Sequence, residues 1–145
     1  VITGVSAGFG RRIAAVLYDT LLLIALQVIL TTTLVLGVTR MEITPEKVGA
    51  WAYFYRALLL AIIVGYYLAN WTRSGQTLGM RAWHLRAVTA TGKPLSLKAA
   101  AIRLCWAALA WAPAALGVLW IYLDEDHLAV QDRLSGTRIV RLTRT

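Results

Sequence analysis

The sequence predicts an all-α membrane protein: a small bundle of two full transmembrane helices plus a third apolar segment that folds back as a helical hairpin, with a small cytoplasmic β element. Three observations carry this. Hydrophobic residues make up 59% of the chain against 15% charged, with a mean hydropathy of +0.64, where a soluble domain carries about 25% charged residues. Long apolar runs occupy residues 13–38, 51–71 and 99–123, and two short stretches rich in strand formers, 83–89 and 137–142, flank the last run. A chain of 145 residues has room for roughly three or four crossings of about 20 residues each, so a single domain over 1–145 is expected.

The first run follows Arg11 and Arg12 and ends before Arg40. It is longer than the roughly 7–15-residue apolar stretch of a signal peptide and contains Asp19, so a retained helix is expected. The second, Trp51 to Trp71, is 21 residues long and would rise roughly 31 Å as a helix, close to the hydrocarbon thickness of a bilayer. Trp51, Tyr53 and Tyr55 stand at one end and Tyr66, Tyr67 and Trp71 at the other, where interfacial aromatic residues belong. The following loop, 72–98, holds Arg73, Arg81, Arg86, Lys93 and Lys98 without an acidic residue, whereas Arg40 and Lys47 are balanced by Glu42 and Glu46. The positive-inside tendency therefore puts loop 72–98 and the N-terminus on the cytoplasmic side. The net charge of +8 is spent on orientation and on anionic lipid heads; nucleic acid is rejected as a partner.

A single crossing of the third run would carry Arg133, Arg138, Arg141 and Arg144 to the outer side, against the charge rule. Pro113 near its middle and Gly117 after it allow two short helices instead. Pairing of the two strand-like stretches, the first followed by a turn at Thr91-Gly92-Lys93-Pro94, demands the same arrangement.

Asp19 falls six residues into the first span, roughly 9 Å below its cytoplasmic end. A charge at the centre of a membrane helix costs about 2.5–3.5 kcal/mol, so it should face protein or water. Arg12 lies seven residues earlier on nearly the same helix face, about 10.5 Å away along the axis. Arg103, roughly 6 Å into the third run, matches the depth of Asp19 and is its expected partner. Arg56 differs in depth by about 14 Å and should snorkel outward. The set is either a structural ion pair or a proton or cation site.

Other candidates carry less. His84 and His127 lack ligand neighbours at metal-binding spacing, and Asp124, Glu125, Asp126 and His127 read as a solvated turn. Ser74 and Ser135 each precede a glycine in turn-like sequence. With no nucleophile–base pair, neither an enzyme nor a cofactor is expected. Cys105, the lone cysteine, reads as a small buried packing residue. Ala108 with Ala112 and Ala110 with Ala114 have close-packing spacing, but alanine is abundant in this run.

Arg12-Ile13-Ala14-Ala15-Val16-Leu17-Tyr18-Asp19, Ser74-Gly75-Gln76-Thr77-Leu78-Gly79-Met80-Arg81 and Gln131-Asp132-Arg133-Leu134-Ser135-Gly136-Thr137-Arg138 together resemble the RDD family of small bacterial membrane proteins, over nearly the whole chain. That family is named for one arginine and two aspartates, which the resemblance places at Arg12, Asp19 and Asp132. It implies transport of undefined ligands and, for some members, sodium/proton exchange. Read from the residues, Asp132 lies in a segment expected at the membrane surface, where capping a helix or holding the Leu134-Ser135-Gly136-Thr137 turn is the rival role.

Two functions follow as expectations. The first is transport of ions or small ligands, of the cation/proton exchange type, around Asp19 with Arg12 and Arg103 tuning its charge; so small a chain then needs a homo-oligomer or a larger partner. The second is an accessory or assembly subunit of a larger membrane complex. Carriers that exchange ions often use more than one intramembrane acid, and Asp19 is alone, which weighs toward the second.

Overall fold

The computed structural model of the protein describes residues 6–39, 45–111 and 129–142. Helix α1 spans Phe9–Thr33 and continues as a π-helical segment, Leu34–Thr39. Its 25 residues rise roughly 37 Å. The helix starts earlier than the apolar run and so takes Arg11 and Arg12 into its first turn. Helix α2, Pro45–Arg73, begins on a proline, whose fixed φ and missing N–H suit a first helical position.

Two helices are long and apolar enough to cross a membrane, Phe9–Thr33 and Trp51–Arg73. Burial within the chain is confined on α1 to Arg12, Ala15, Asp19 and Leu23, spaced so that they fall on one face. The other faces are bare: Leu21 is 69% and Ile29 64% exposed. Apolar surface of that extent needs lipid or protein against it. The buried face therefore carries both an arginine and an aspartate, while leucine and isoleucine face outward, the reverse of a helix in water.

After α2 the chain turns sharply. The Ser74 hydroxyl donates to the Gln76 carbonyl at 2.9 Å, and Gly75 adopts a φ of +70°. Helix α3, Leu78–Ala82, lies across α1, and strand β1, Leu85–Thr89, follows. Helix α4 runs from Leu97 to Trp111 and packs against α2. A short helix α5, Val130–Leu134, packs on α4 and leads into strand β2, Thr137–Arg141. The strands pair antiparallel, with Leu85 opposite Arg141 and Thr89 opposite Thr137. The expected small β element is thus present within the expected stretches.

The N-terminal segment joins this sheet: Ser6 bridges Val140, and the Ala7 amide donates to the Ile139 carbonyl at 2.9 Å. The start of α1, the end of α2 and both strands are therefore gathered at one end of the molecule. Hydrogen-bonded strands cannot lie on opposite sides of a bilayer, so the two flanks of the third apolar run share a side. Pro113 and Gly117, the residues that would allow the hairpin, lie outside the described residues, as do Asp124, Glu125, Asp126 and His127. Cys105 is exposed, not buried as expected: it stands on a face of α4 that no other described part of the chain covers.

This topology gives a direct expectation. With Cys105 replaced by alanine, a cysteine at Ala90, in the turn after β1, and one at Arg141, at the end of β2, should show the same sidedness toward an impermeant thiol reagent in intact cells. Labelling of one from outside and of the other only after permeabilisation would break the pairing of β1 with β2.

Candidate functional site

Two carboxylates lie buried at the sheet end of the helices, and they are held differently. Asp132, on α5, is fully buried at 0% exposure. It forms ion pairs with Arg12 from the first turn of α1 and with Arg103 from α4, the latter at 2.7 Å. Both guanidiniums are also buried, at 3% and 2% exposure. Arg12 Nε donates to the Ala7 carbonyl at 2.8 Å, and Arg103 Nη1 donates to the Thr137 hydroxyl. The Arg103 guanidinium also sits over the Trp71 ring, 5.3 Å from its centroid, a cation–π contact that partly replaces lost water. Burial pushes the Asp132 carboxyl up, but the charges of Arg103 and Arg12 and their hydrogen bonds outweigh it and hold the group below the ordinary carboxylate range.

Asp19 is 2% exposed and pairs with neither arginine. Its Oδ1 accepts from the Tyr66 hydroxyl at 2.7 Å and from the Gly79 amide at 2.8 Å, and its Oδ2 accepts from the Thr77 hydroxyl. Thr77 is the N-cap of α3: its Oγ1 also accepts from the Met80 amide at 3.2 Å. Tyr66 in turn accepts from the Leu78 amide at 3.1 Å. One carboxylate therefore ties α1 to α2 and α3.

Gly79 makes this possible. A Cβ there would stand 2.1 Å from the Ala15 carbonyl oxygen and 3.0 Å from Asp19 Cγ, so only glycine lets α3 come close enough to donate its amide. Gln76 completes the segment, its Nε2 donating to the Leu85 carbonyl at 2.6 Å. Each of Ser74, Gly75, Gln76, Thr77 and Gly79 thus has a separate structural task.

Between α1 and α4 lies a cavity of about 350 Å³, within the usual range of small-ligand sites. Arg12, Asp19, Thr77 and Arg103 form the polar part of its wall, and residues such as Val16, Leu104 and Ala107 the apolar part.

All four residues singled out in the sequence are buried at this end, in a different pairing from that expected. Arg103 is the partner of Asp132, not of Asp19, and Arg12 likewise, so neither arginine contacts Asp19. Agreement in depth did not settle the partner, because Asp132 returns on α5 from far along the chain to the same level. Asp132 is not at the surface, as its polar sequence context suggested, but beneath α4 and β2. Tyr66 and Trp71, expected at an interface, turn inward to Asp19 and Arg103. Sequence reasoning missed Tyr66, Thr77 and Gly79 as ligands of Asp19; a threonine two residues before a glycine, opening a short helix, was the available signal. Arg56 is exposed. Among the described residues no group of three or more His, Cys, Asp or Glu is placed to hold a metal ion.

A family model described as the RDD family matches residues 6–136, a range that includes Arg12, Asp19, Arg103 and Asp132. No curated protein and no solved structure matches the chain.

Proposed function

This chain belongs to the RDD family, a membrane protein with two apolar helices, and from that premise we propose that it is of the transport type, moving an ion or small ligand past Asp19. The observation that supports this is how Asp19 is held. Two of its three donors are hydroxyls, from Tyr66 and Thr77, and a hydroxyl can turn from donor to acceptor. A proton or cation arriving at Asp19 therefore does not strand a buried group, whereas Asp132 is pinned as an anion by two guanidiniums. The cavity beside Asp19 supplies the room. In this reading Asp132 with Arg12 and Arg103 is the rigid frame and Asp19 the working group; the N-terminus faces the cytoplasm across the bacterial inner membrane, and the chain works as a homo-oligomer.

The rival reading, an accessory or assembly subunit of a larger membrane complex, draws support from the same carboxylate, since the bonds of Asp19 to α2 and α3 also make it a helix clamp. One measurement separates the two. Reconstituted into vesicles, the wild-type chain should show cation-dependent proton movement, and Asp19→Asn should abolish it while still inserting and melting cooperatively. Equal movement in both removes Asp19 from the mechanism. No movement by wild type, together with constant co-elution in a larger membrane complex, replaces the transport reading by the accessory one.

A further inference from the structure

We propose that the cavity between α1 and α4 binds the oxyanion head of an amphiphile, a carboxylate or phosphate carrying an acyl or alkyl chain, with its head toward Arg12 and Arg103 and its chain leaving between the helices into lipid. This rests on the cavity being the site named above, and goes beyond the proton step at Asp19 by stating what fills the remaining space.

The charge cluster points to an anion. Arg12 and Arg103 share one contacting carboxylate, Asp132, and buried charges in low dielectric demand closely placed opposite charge. Asp19, the other acid on the wall, has both oxygens taken by Tyr66, Thr77 and Gly79 and forms no ion pair. Three residues lining the cavity, Arg12, Arg103 and Trp71, each keep a buried N–H without a hydrogen-bond partner: Nη2, Nε and Nε1. These groups are donors only and are closed to water as the side chains stand, so a head that brings acceptors, as a carboxylate or phosphate does, satisfies them once the side chains turn toward the cavity. Three such orphans on residues lining one cavity are uncommon in a folded interior.

The rest of the wall points to a chain. Val16, Leu104, Ala107 and Ala108 offer no polar side chain, and Thr20 and Ala108, which also line the cavity, are exposed on the flank of the bundle. That flank lies along a membrane-crossing helix, where an acyl chain continues into its own solvent. A small free anion would leave this apolar portion empty.

Native mass spectrometry of the delipidated chain tests the assignment with five probes: myristate, tetradecyl phosphate, tetradecanol, tetradecyltrimethylammonium and inorganic phosphate. The two anionic amphiphiles should bind about tenfold or more tighter than the alcohol or the ammonium of the same length, the worth of charge-assisted hydrogen bonds, and inorganic phosphate alone should not be retained. Ala107→Phe, which fills the apolar part of the void and leaves every charge in place, should lose that binding; Arg103→Lys, which keeps the charge and removes the planar fork, should weaken it. Equal binding of the alcohol or ammonium overturns the anionic head, retention of inorganic phosphate as tight as that of tetradecyl phosphate overturns the chain, and full binding by Ala107→Phe overturns the location. No binding by any amphiphile overturns the proposal entirely. Its fate is separable from that of the transport reading: proton movement in vesicles without amphiphile binding sinks this inference alone, and amphiphile binding without proton movement sinks the transport reading alone.

Discussion

Asp132→Asn should destabilise the protein by about 3–5 kcal/mol, because removing one member of a buried charge set leaves the others uncompensated. Here the residue lost is, among the described residues, the only acid contacting Arg12 and Arg103, both almost fully buried. Thermal unfolding in detergent measures it. The loss should be non-additive with Arg103→Gln, the double variant falling short of the summed single losses, since the two residues share one interaction; Arg103→Gln and Asp19→Asn should add. The pH dependence has a defined sign. The Asp132 carboxyl is held below its ordinary value when folded, so its contribution is fully present above the ordinary carboxylate value, near 3.9, and is lost as pH falls through the lowered folded value. The gap in melting temperature between wild type and Asp132→Asn should therefore hold at neutral pH and narrow only in strong acid. A gap that closes between pH 8 and pH 6 would assign the stabilisation to another group.

Gly79→Ala should be almost as damaging, at about 3 kcal/mol or more, though it adds only a methyl group. The added carbon meets the Ala15 carbonyl oxygen at 2.1 Å; that oxygen is backbone, and a Cβ has no torsion by which to turn aside, so α3 must lift from α1. Overpacking costs about 1–3 kcal/mol, and the Gly79 amide bond to the Asp19 carboxylate, a hydrogen bond to a charged group worth about 1.5–3 kcal/mol, is stretched with it. Gly65→Ala in α2 is the control: its Cβ meets nothing within 4 Å, and alanine favours a helix interior by about 0.8–1.0 kcal/mol over glycine. Unfolding curves that place both variants beside wild type would show that α3 does not sit on α1 as described.

Much of the fold was legible because its signals are local. Continuous apolar runs set the two long helices, and strand-forming stretches either side of the third run set β1 and β2. The burial of Arg12 and Asp19 on one face followed from their spacing. What the sequence left open was pairing over distance. Three arginines and two aspartates allow several combinations, and a depth estimate counts residues along an axis without knowing that α5 folds back beneath α4. The surroundings of Asp132 are polar, as at a membrane surface, and nothing local marks it as buried. The donors to Asp19 were hidden for another reason: a tyrosine near a helix end reads as an interfacial anchor, and a glycine in a turn-rich segment reads as a turn, when each is instead fitted to the carboxylate opposite.

The joining of Arg12 to a residue near the other end of the chain has a consequence for how the protein is made. Residues 12 and 132 are separated by 120 positions, and the Ala7 carbonyl and Ile139 carbonyl are drawn into the same corner. A ribosome delivers the first helix to the bilayer well before the aspartate that neutralises it exists. During that interval the arginines of α1 and α4 must be tolerated by water or lipid heads, and the corner can close only once Asp132 and β2 have emerged. A chain cut before Asp132 is therefore expected to present Arg12 and Arg103 without the carboxylate that neutralises them and to leave the corner open.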